Sequence, residues 1–153
     1  GRSAAIGGTD VFISKLNAAG NAFLWTTYFG GAAEDIPVAI ALDAAGNIHV
    51  AGNTTSDNLP VTRNVFQRTR RSSGPRTNGF LLKLNPEGSG ILWCTYFGAD
   101  DDEITAMALD GNGSVFVTGQ TRSVNFPTTP NAYQTAGFQR AFVTKFSPDA
   151  QDL

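Results

Sequence analysis

The chain has only three lysines, and all three stand at one position of an internal repeat. They occur in Phe12-Ile13-Ser14-Lys15-Leu16, Phe80-Leu81-Leu82-Lys83-Leu84 and Phe142-Val143-Thr144-Lys145-Phe146, with spacings of 68 residues (15 to 83) and 62 residues (83 to 145). The surrounding sequence repeats in phase. Leu24-Trp25-Thr26-Thr27-Tyr28-Phe29-Gly30 returns as Leu92-Trp93-Cys94-Thr95-Tyr96-Phe97-Gly98, and Ala39-Ile40-Ala41-Leu42-Asp43 as Ala106-Met107-Ala108-Leu109-Asp110. Asn58-Leu59-Pro60 returns as Asn125-Phe126-Pro127, and Asn64-Val65-Phe66-Gln67 as Asn131-Ala132-Tyr133-Gln134. By length alone, 153 residues are about one average domain. Repetition at this period means instead that one small unit recurs and buries its faces against its own neighbours.

Each unit reads as four short strands separated by turns. Side chains alternate along a strand, so Phe12, Ser14 and Leu16 share one face and Val11, Ile13 and Lys15 the other. In the second copy Phe80, Leu82 and Leu84 oppose Leu81 and Lys83. Both faces are largely apolar, which predicts a strand covered on both sides, with the lysine ammonium reaching water or a carboxylate past its neighbours. The strand from Phe23 to Phe29 behaves likewise. Turns follow at 17–20, 85–88 and 147–150, and hairpin turns at Asp43-Ala44-Ala45-Gly46-Asn47 and Asp110-Gly111-Asn112-Gly113-Ser114. These hairpins join Val38–Asp43 to Ile48–Gly52 and, in the next copy, lead into Val115–Gly119. No window holds a helical apolar period over enough residues for a helix. The chain is therefore all-β. Four-stranded antiparallel sheets that are apolar on both faces must stack, and their radial repetition is a β-propeller. A two-sheet sandwich is the runner-up, but it requires one polar face per strand.

The pattern Phe-x-x-Lys-Leu-Asn-x-x-Gly, Leu-Trp-x-Thr-Tyr-Phe-Gly, Ala-x-Ala-Leu-Asp-x-x-Gly and Asn-x-Pro resembles the bacterial SBBP repeat, named for the seven-bladed beta-propeller. The resemblance runs from Asp10 to about Asp149. It implies tandem blades in large exported or surface-attached bacterial proteins, and hence an extracellular, cell-surface or periplasmic location. It implies no catalytic motif. One departure stands out: the segment from Gln67 to Phe80 is longer than its counterpart from Gln134 to Phe142, and the extra length is basic.

That insertion holds Arg68, Arg70, Arg71 and Arg76, with Arg63 just before it. Guanidinium groups could grip a carboxylate, sulfate, phosphate or acidic polysaccharide, which makes Arg68, Arg70, Arg71 and Arg76 the candidate partner-binding residues. The plainer expectation is a solvated loop. Asp100-Asp101-Asp102-Glu103 offers hard oxygen ligands for calcium, yet it fails the EF-hand spacing and reads more simply as a solvated turn. His49 takes the slot that Phe116 fills in the next copy, which marks an aromatic filler rather than an acid–base group. Cys94 sits inside a covered strand, as a buried inert thiol. Trp25 and Trp93 repeat at one strand position, as blade core does, and recurrence gives Asp43 and Asp110 a structural turn role. Asn53-Thr54-Thr55 and Asn112-Gly113-Ser114 match the glycosylation acceptor pattern.

Composition closes several routes. A net charge of −2 argues against bulk electrostatic binding of nucleic acid or anionic membrane. One Cys and one His exclude a disulfide framework and a multi-histidine or multi-cysteine metal site. No apolar run is long enough to span a bilayer. No catalytic, metal or cofactor residues are assigned.

The repeat phase divides the chain into the second half of a blade (10–30), a complete blade (36–98) and a blade lacking its last strand (104–146), about two blade equivalents in nine strands with no second domain. The expectation is therefore a portion of a longer chain, or one that completes its ring through other copies, because its end sheets would otherwise expose apolar faces. The expected function is a non-enzymatic scaffold or interaction module with a protein or glycan partner. The alternatives are a carbohydrate-binding propeller, or part of a propeller lyase or glycosidase whose catalytic groups lie on other blades.

Overall fold

The computed structural model describes residues 7–135 and 140–153. These form nine strands and no helix. The strands are β1 (Val11–Leu16), β2 (Phe23–Phe29), β3 (Asp35–Leu42), β4 (Ile48–Thr54), β5 (Asn78–Leu84), β6 (Ile91–Phe97), β7 (Asp102–Leu109), β8 (Val115–Thr121) and β9 (Arg140–Phe146). Neighbours in sequence pair antiparallel, giving sheets β1-β2, β3-β4-β5-β6 and β7-β8-β9. This up-and-down order within each sheet, with sheets following one another along the chain, is the arrangement of propeller blades.

Strands β3 and β7 begin earlier than the apolar pattern suggested. Asp35 pairs with Thr54 and Asp102 with Thr121, ahead of a bulge between Pro37 and Ala39 in β3 and between Ile104 and Ala106 in β7. The bulge shifts the alternation by one residue, which is why a period-two pattern found only the stretch beyond it.

The three sheets stack face to face. One core, between the first and second sheets, gathers Val11, Ile13 and Phe29 against Val50, Phe80 and Leu82. The other, between the second and third, gathers Leu81, Trp93 and Phe97 against Val117, Phe142 and Phe146. Aromatic rings cross both boundaries, Phe29 to Phe80 at 5.3 Å and Phe97 to Phe146 at 4.9 Å. Strands β4 and β5 of the second sheet are thus buried on both faces, as the two-sided apolar pattern predicts for β5, while β3 at its edge leaves Ile36, Ile40 and Leu42 exposed.

The outer sheets are covered on one face only. In the first, Phe12 is 67% exposed while Val11 and Ile13 are buried. In the third, Val143 is 79% exposed between the buried Phe142 and Thr144. The repeat makes these two open faces opposite halves of one interface. Phe12 is the counterpart of Phe80, which faces the first sheet. Val143 is the counterpart of Leu81, which faces the third.

The long connection between β4 and β5 runs along the free edge of β6. Thr62 N donates to Cys94 O (3.2 Å) and Tyr96 N to Gln67 O (3.0 Å), while Gln67 N bonds the Thr95 hydroxyl (3.0 Å). This satisfies edge groups that would otherwise pair with a stranger. The loop then reaches the third sheet, where Phe66 N donates to Ala150 O at 2.8 Å.

Candidate functional site

Four polar clusters could carry chemistry. The first lies at the β3–β4 hairpin. Asp43 Oδ1 accepts from the amides of Ala45 (3.0 Å) and Asn47 (2.9 Å), which closes the turn. Its Oδ2 meets Lys83 Nζ at 2.9 Å and His49 Nε2 at 3.3 Å. Burial pushes the Asp43 carboxyl up, but bonds from Asn47, Lys83 and His49 outweigh it and hold the group well below the usual carboxylate range. Burial holds His49 below its ordinary value of 6.5, with the Lys83 charge acting in the same direction and Asp43 opposing. The next repeat rebuilds this cluster without the imidazole. Asp110 accepts from Asn112 and Ser114 at 2.9 Å each, Lys145 reaches it at 3.3 Å, and the same ammonium lies 5.2 Å from the Phe116 ring. Lys83 and Lys145 therefore reach a carboxylate, and that carboxylate is the turn aspartate. His49 lies edge-on to Trp93 at 5.7 Å, as an aromatic filler would.

The second cluster escaped the sequence reading. Asp35, fully buried, accepts from Gly31 N (2.7 Å), Thr54 Oγ1 (2.5 Å) and Ser56 Oγ (2.9 Å). Asp102, also buried, accepts from Ala99 N (2.5 Å) and Ser123 Oγ (2.9 Å). A carboxylate ringed by donors replaces its lost hydration and ties a strand start to the end of the neighbouring strand. The signal was present as Asp with Thr 19 and Ser 21 residues later, in both copies (35/54/56 and 102/121/123). The expected solvated turn at 100–103 is thus corrected: Asp102 faces inward because strand β7 starts on it.

The first two aspartates of the acidic run pair with arginines. Asp100 pairs with Arg76, and Asp101 with Arg122 at 3.1 Å. Among the described residues no three metal-ligand side chains gather.

The third cluster is the arginine loop, and the structure divides its four candidates. The Arg70 side chain is buried. Its Nε bonds Asp57 at 2.7 Å, and its terminal nitrogens bond Ser72 Oγ (2.7 Å) and the carbonyls of Arg76 (2.8 Å) and Gly74 (3.3 Å). Arg70 therefore organises the loop from within, whereas Arg76 is exposed but paired with Asp100. Arg68 and Arg71 stand exposed. Both lie on the exposed part of the loop that joins β4 to β5.

The fourth set is Cys94 and the tryptophans. Cys94 is fully buried, and burial pushes its thiol far up, which removes the thiolate a nucleophile requires. Trp93 is buried and donates through Nε1 to Pro148 O at 3.0 Å, while Trp25 is half-buried against Gly88. Asn53, the first residue of an acceptor pattern, spends its amide on a two-way bridge between sheets. It donates to Ile104 O (3.0 Å) and accepts from Ile104 N (2.8 Å).

The geometry thus points to repeated units that consume their polar groups in holding blades together. A family model described as "Beta-propeller repeat", SBBP, matches residues 24–60 and 92–127. These stretches are SBBP beta-propeller repeats. The match covers the repeat itself and does not fix a ring of seven. Each matched SBBP stretch spans the end of one blade and the first half of the next, so both include a buried aspartate and a turn aspartate. The chain is also similar to the "Regulatory protein FlaEY" of Caulobacter vibrioides, at 24% identity over 143 residues. The likeness covers 94% of this chain and 14% of that relative. No helix among the described residues is long and apolar enough to cross a membrane.

Proposed function

We propose that the chain is a non-catalytic stretch of SBBP β-propeller that works as a scaffold and interaction module in a larger bacterial protein. The observation that carries this is the recurrence of polar side chains in the same structural bonds. Asp35 and Asp102 anchor strand starts, and Asp43 and Asp110 close hairpins and bind lysines. Groups duplicated in this way are components of the repeat. The likeness to a protein named as regulatory supports an interaction role.

Further blades, or other copies, cover the open faces around Phe12 and Val143. The exposed Arg68 and Arg71 of the β4–β5 loop supply the partner contact, and their chemistry favours an anionic glycan or an acidic protein segment. An extracellular, surface or periplasmic placement belongs to the same proposal and rests on the family resemblance. The test is binding of the intact chain to an array of sulfated and uronate glycans. Arg68→Ala with Arg71→Ala is expected to abolish retention, leaving Arg70 to hold the loop. Retention unchanged in that double variant would exclude the loop as the contact.

A further inference from the structure

His49 lies on the side of β4 that faces the third sheet. Side chains alternate along the strand, and Ala51, two residues on, belongs to the core between the second and third sheets. Pairing places His49 opposite Lys83 and Lys83 opposite Trp93, so the three form one row across β4, β5 and β6. The imidazole stands edge-on to the Trp93 ring at 5.7 Å. Trp93 in turn crosses to the third sheet, where its Nε1 donates to Pro148 O at 3.0 Å. A side chain that ties the two sheets together therefore rests against the chain's single histidine. At the far end of the same boundary the ties are not ionisable. There Asn53 bridges to Ile104 in both directions.

The buried ring has a partner for one nitrogen only. Its side chain is 1% exposed, Nε2 meets Asp43 Oδ2 at 3.3 Å, and Nδ1 has no hydrogen-bond partner among the described residues. A proton added to neutral His49 puts an N–H on both nitrogens, which leaves a buried cation with one donor unmet. Asp43 cannot turn wholly to it, because the same oxygen also accepts from Lys83 Nζ and Asn47 Nδ2 at 2.9 Å each. Asp43 and Lys83 are the charged groups that act on the ring, the first favouring its cation and the second opposing it. The third sheet lines this boundary with Met107, Leu109, Val115 and Val117, none of which ionises. Asp149, in the turn that receives Trp93, is exposed and bonded to Ser147 and Gln151. Burial outweighs the attraction of Asp43 and holds His49 below 6.5. An imidazole released to water regains its ordinary value, so acid favours an opening that frees it.

We propose that His49 makes the joint between the second and third sheets an acid-sensitive latch, in which protonation expels the imidazole, Trp93 loses its bond to Pro148, and this end of the joint opens while the Asn53 bridge holds the other. The next repeat has Phe116 in the histidine slot, so the device belongs to this joint and not to the repeat as such. It adds a regulated contact to the scaffold role. His49 begins β4 and Lys83 nears the end of β5, so the latch lies at the opposite end of these strands from the arginine loop.

Hydrogen exchange followed by two-dimensional NMR on the 153-residue chain tests the latch. The two indole N–H signals are assigned with Trp25→Phe, and protection is taken relative to the unstructured group at the same pH. Protection of the Trp93 indole N–H is expected to fall about tenfold or more from pH 7 to pH 5, since an opening that frees the ring gains up to about tenfold per pH unit below 6.5. The Ile104 amide, which donates to Asn53 Oδ1, should hold its protection within about threefold, as a local opening leaves the distant bond closed. In His49→Phe the fall at Trp93 should disappear, and His49→Leu serves if that variant loses its strand signal in circular dichroism. No fall in the unaltered chain, an equal fall in the variant, or a parallel fall at Ile104 overturns the latch. Arg68→Ala with Arg71→Ala should leave the pH dependence as it is, so glycan retention and the latch stand or fail separately.

Discussion

Asp43 and His49 share a hydrogen bond, and acid acts on both in the same direction. His49 is held below 6.5, so the unfolded chain takes up its proton before the folded one. The stability that depends on neutral His49 is complete above 6.5 and is lost as pH falls toward the lowered folded value. Asp43 is likewise lowered, so its contribution is full above the ordinary value of 3.8 and lost only at lower pH. The expected outcome is a thermal midpoint that declines between pH 7 and pH 5 and declines less in His49→Phe. That substitution places at 49 what the next repeat has at 116, leaving the aspartate–lysine pair in place. A slope identical in the variant would show that other groups carry it. At this scale the sequence was legible where a residue repeats with its type. Lys83 and Lys145 were expected to reach a carboxylate, and they do. Asp102 was misread because acidic neighbours on either side made it look solvated. Burial of one carboxylate within a run of four acids depends on donors from Ala99, three residues earlier in the same turn, and from Ser123, just past the end of β8.

Elements depend on close approach at two equivalent glycines. A Cβ on Gly52 would lie 2.3 Å from Ile36 O, and one on Gly119 would lie 1.9 Å from Glu103 O. Both sit opposite the bulges of β3 and β7, where the extra residue turns the backbone toward the partner strand. Gly119→Ala is therefore expected to destabilise by about 2 kcal/mol or more in urea denaturation. Gly111→Ala, whose added Cβ meets nothing within 4 Å, should stay within roughly 0.5 kcal/mol. Equal effects at the two sites would contradict the steric account. The strands were readable from alternation and turn residues, but their starts were not. A bulge breaks the two-residue period, and only pairing across the sheet reveals where the strand resumes.

At the scale of the whole molecule, blades exist to be covered. The inner strands β4 and β5 of the second sheet hide both faces, whereas the first and third sheets each leave one face open. Phe12→Lys and Val143→Lys each place a charge on an outer face, at side chains 67% and 79% exposed. Both changes together should lower the binding of a hydrophobic dye while moving the melting temperature little, since neither side chain is buried within the chain. Dye binding that stays the same would show that these faces are not the open apolar surface.

The sequence by itself determined the repeat, the all-β class, the stacking of sheets and the pairing of turns with strands. These follow from local alternation and from recurrence, which are written along the chain. The tertiary structure decided what each repeated polar group is for. It turned Asp102 inward, took Arg70 out of the set of solvent-facing arginines, and spent Asn53 on a bridge between sheets. Those outcomes depend on which neighbours arrive from distant parts of the chain, and a hydrogen-bond partner or a covering face has no signature at the residue that needs it.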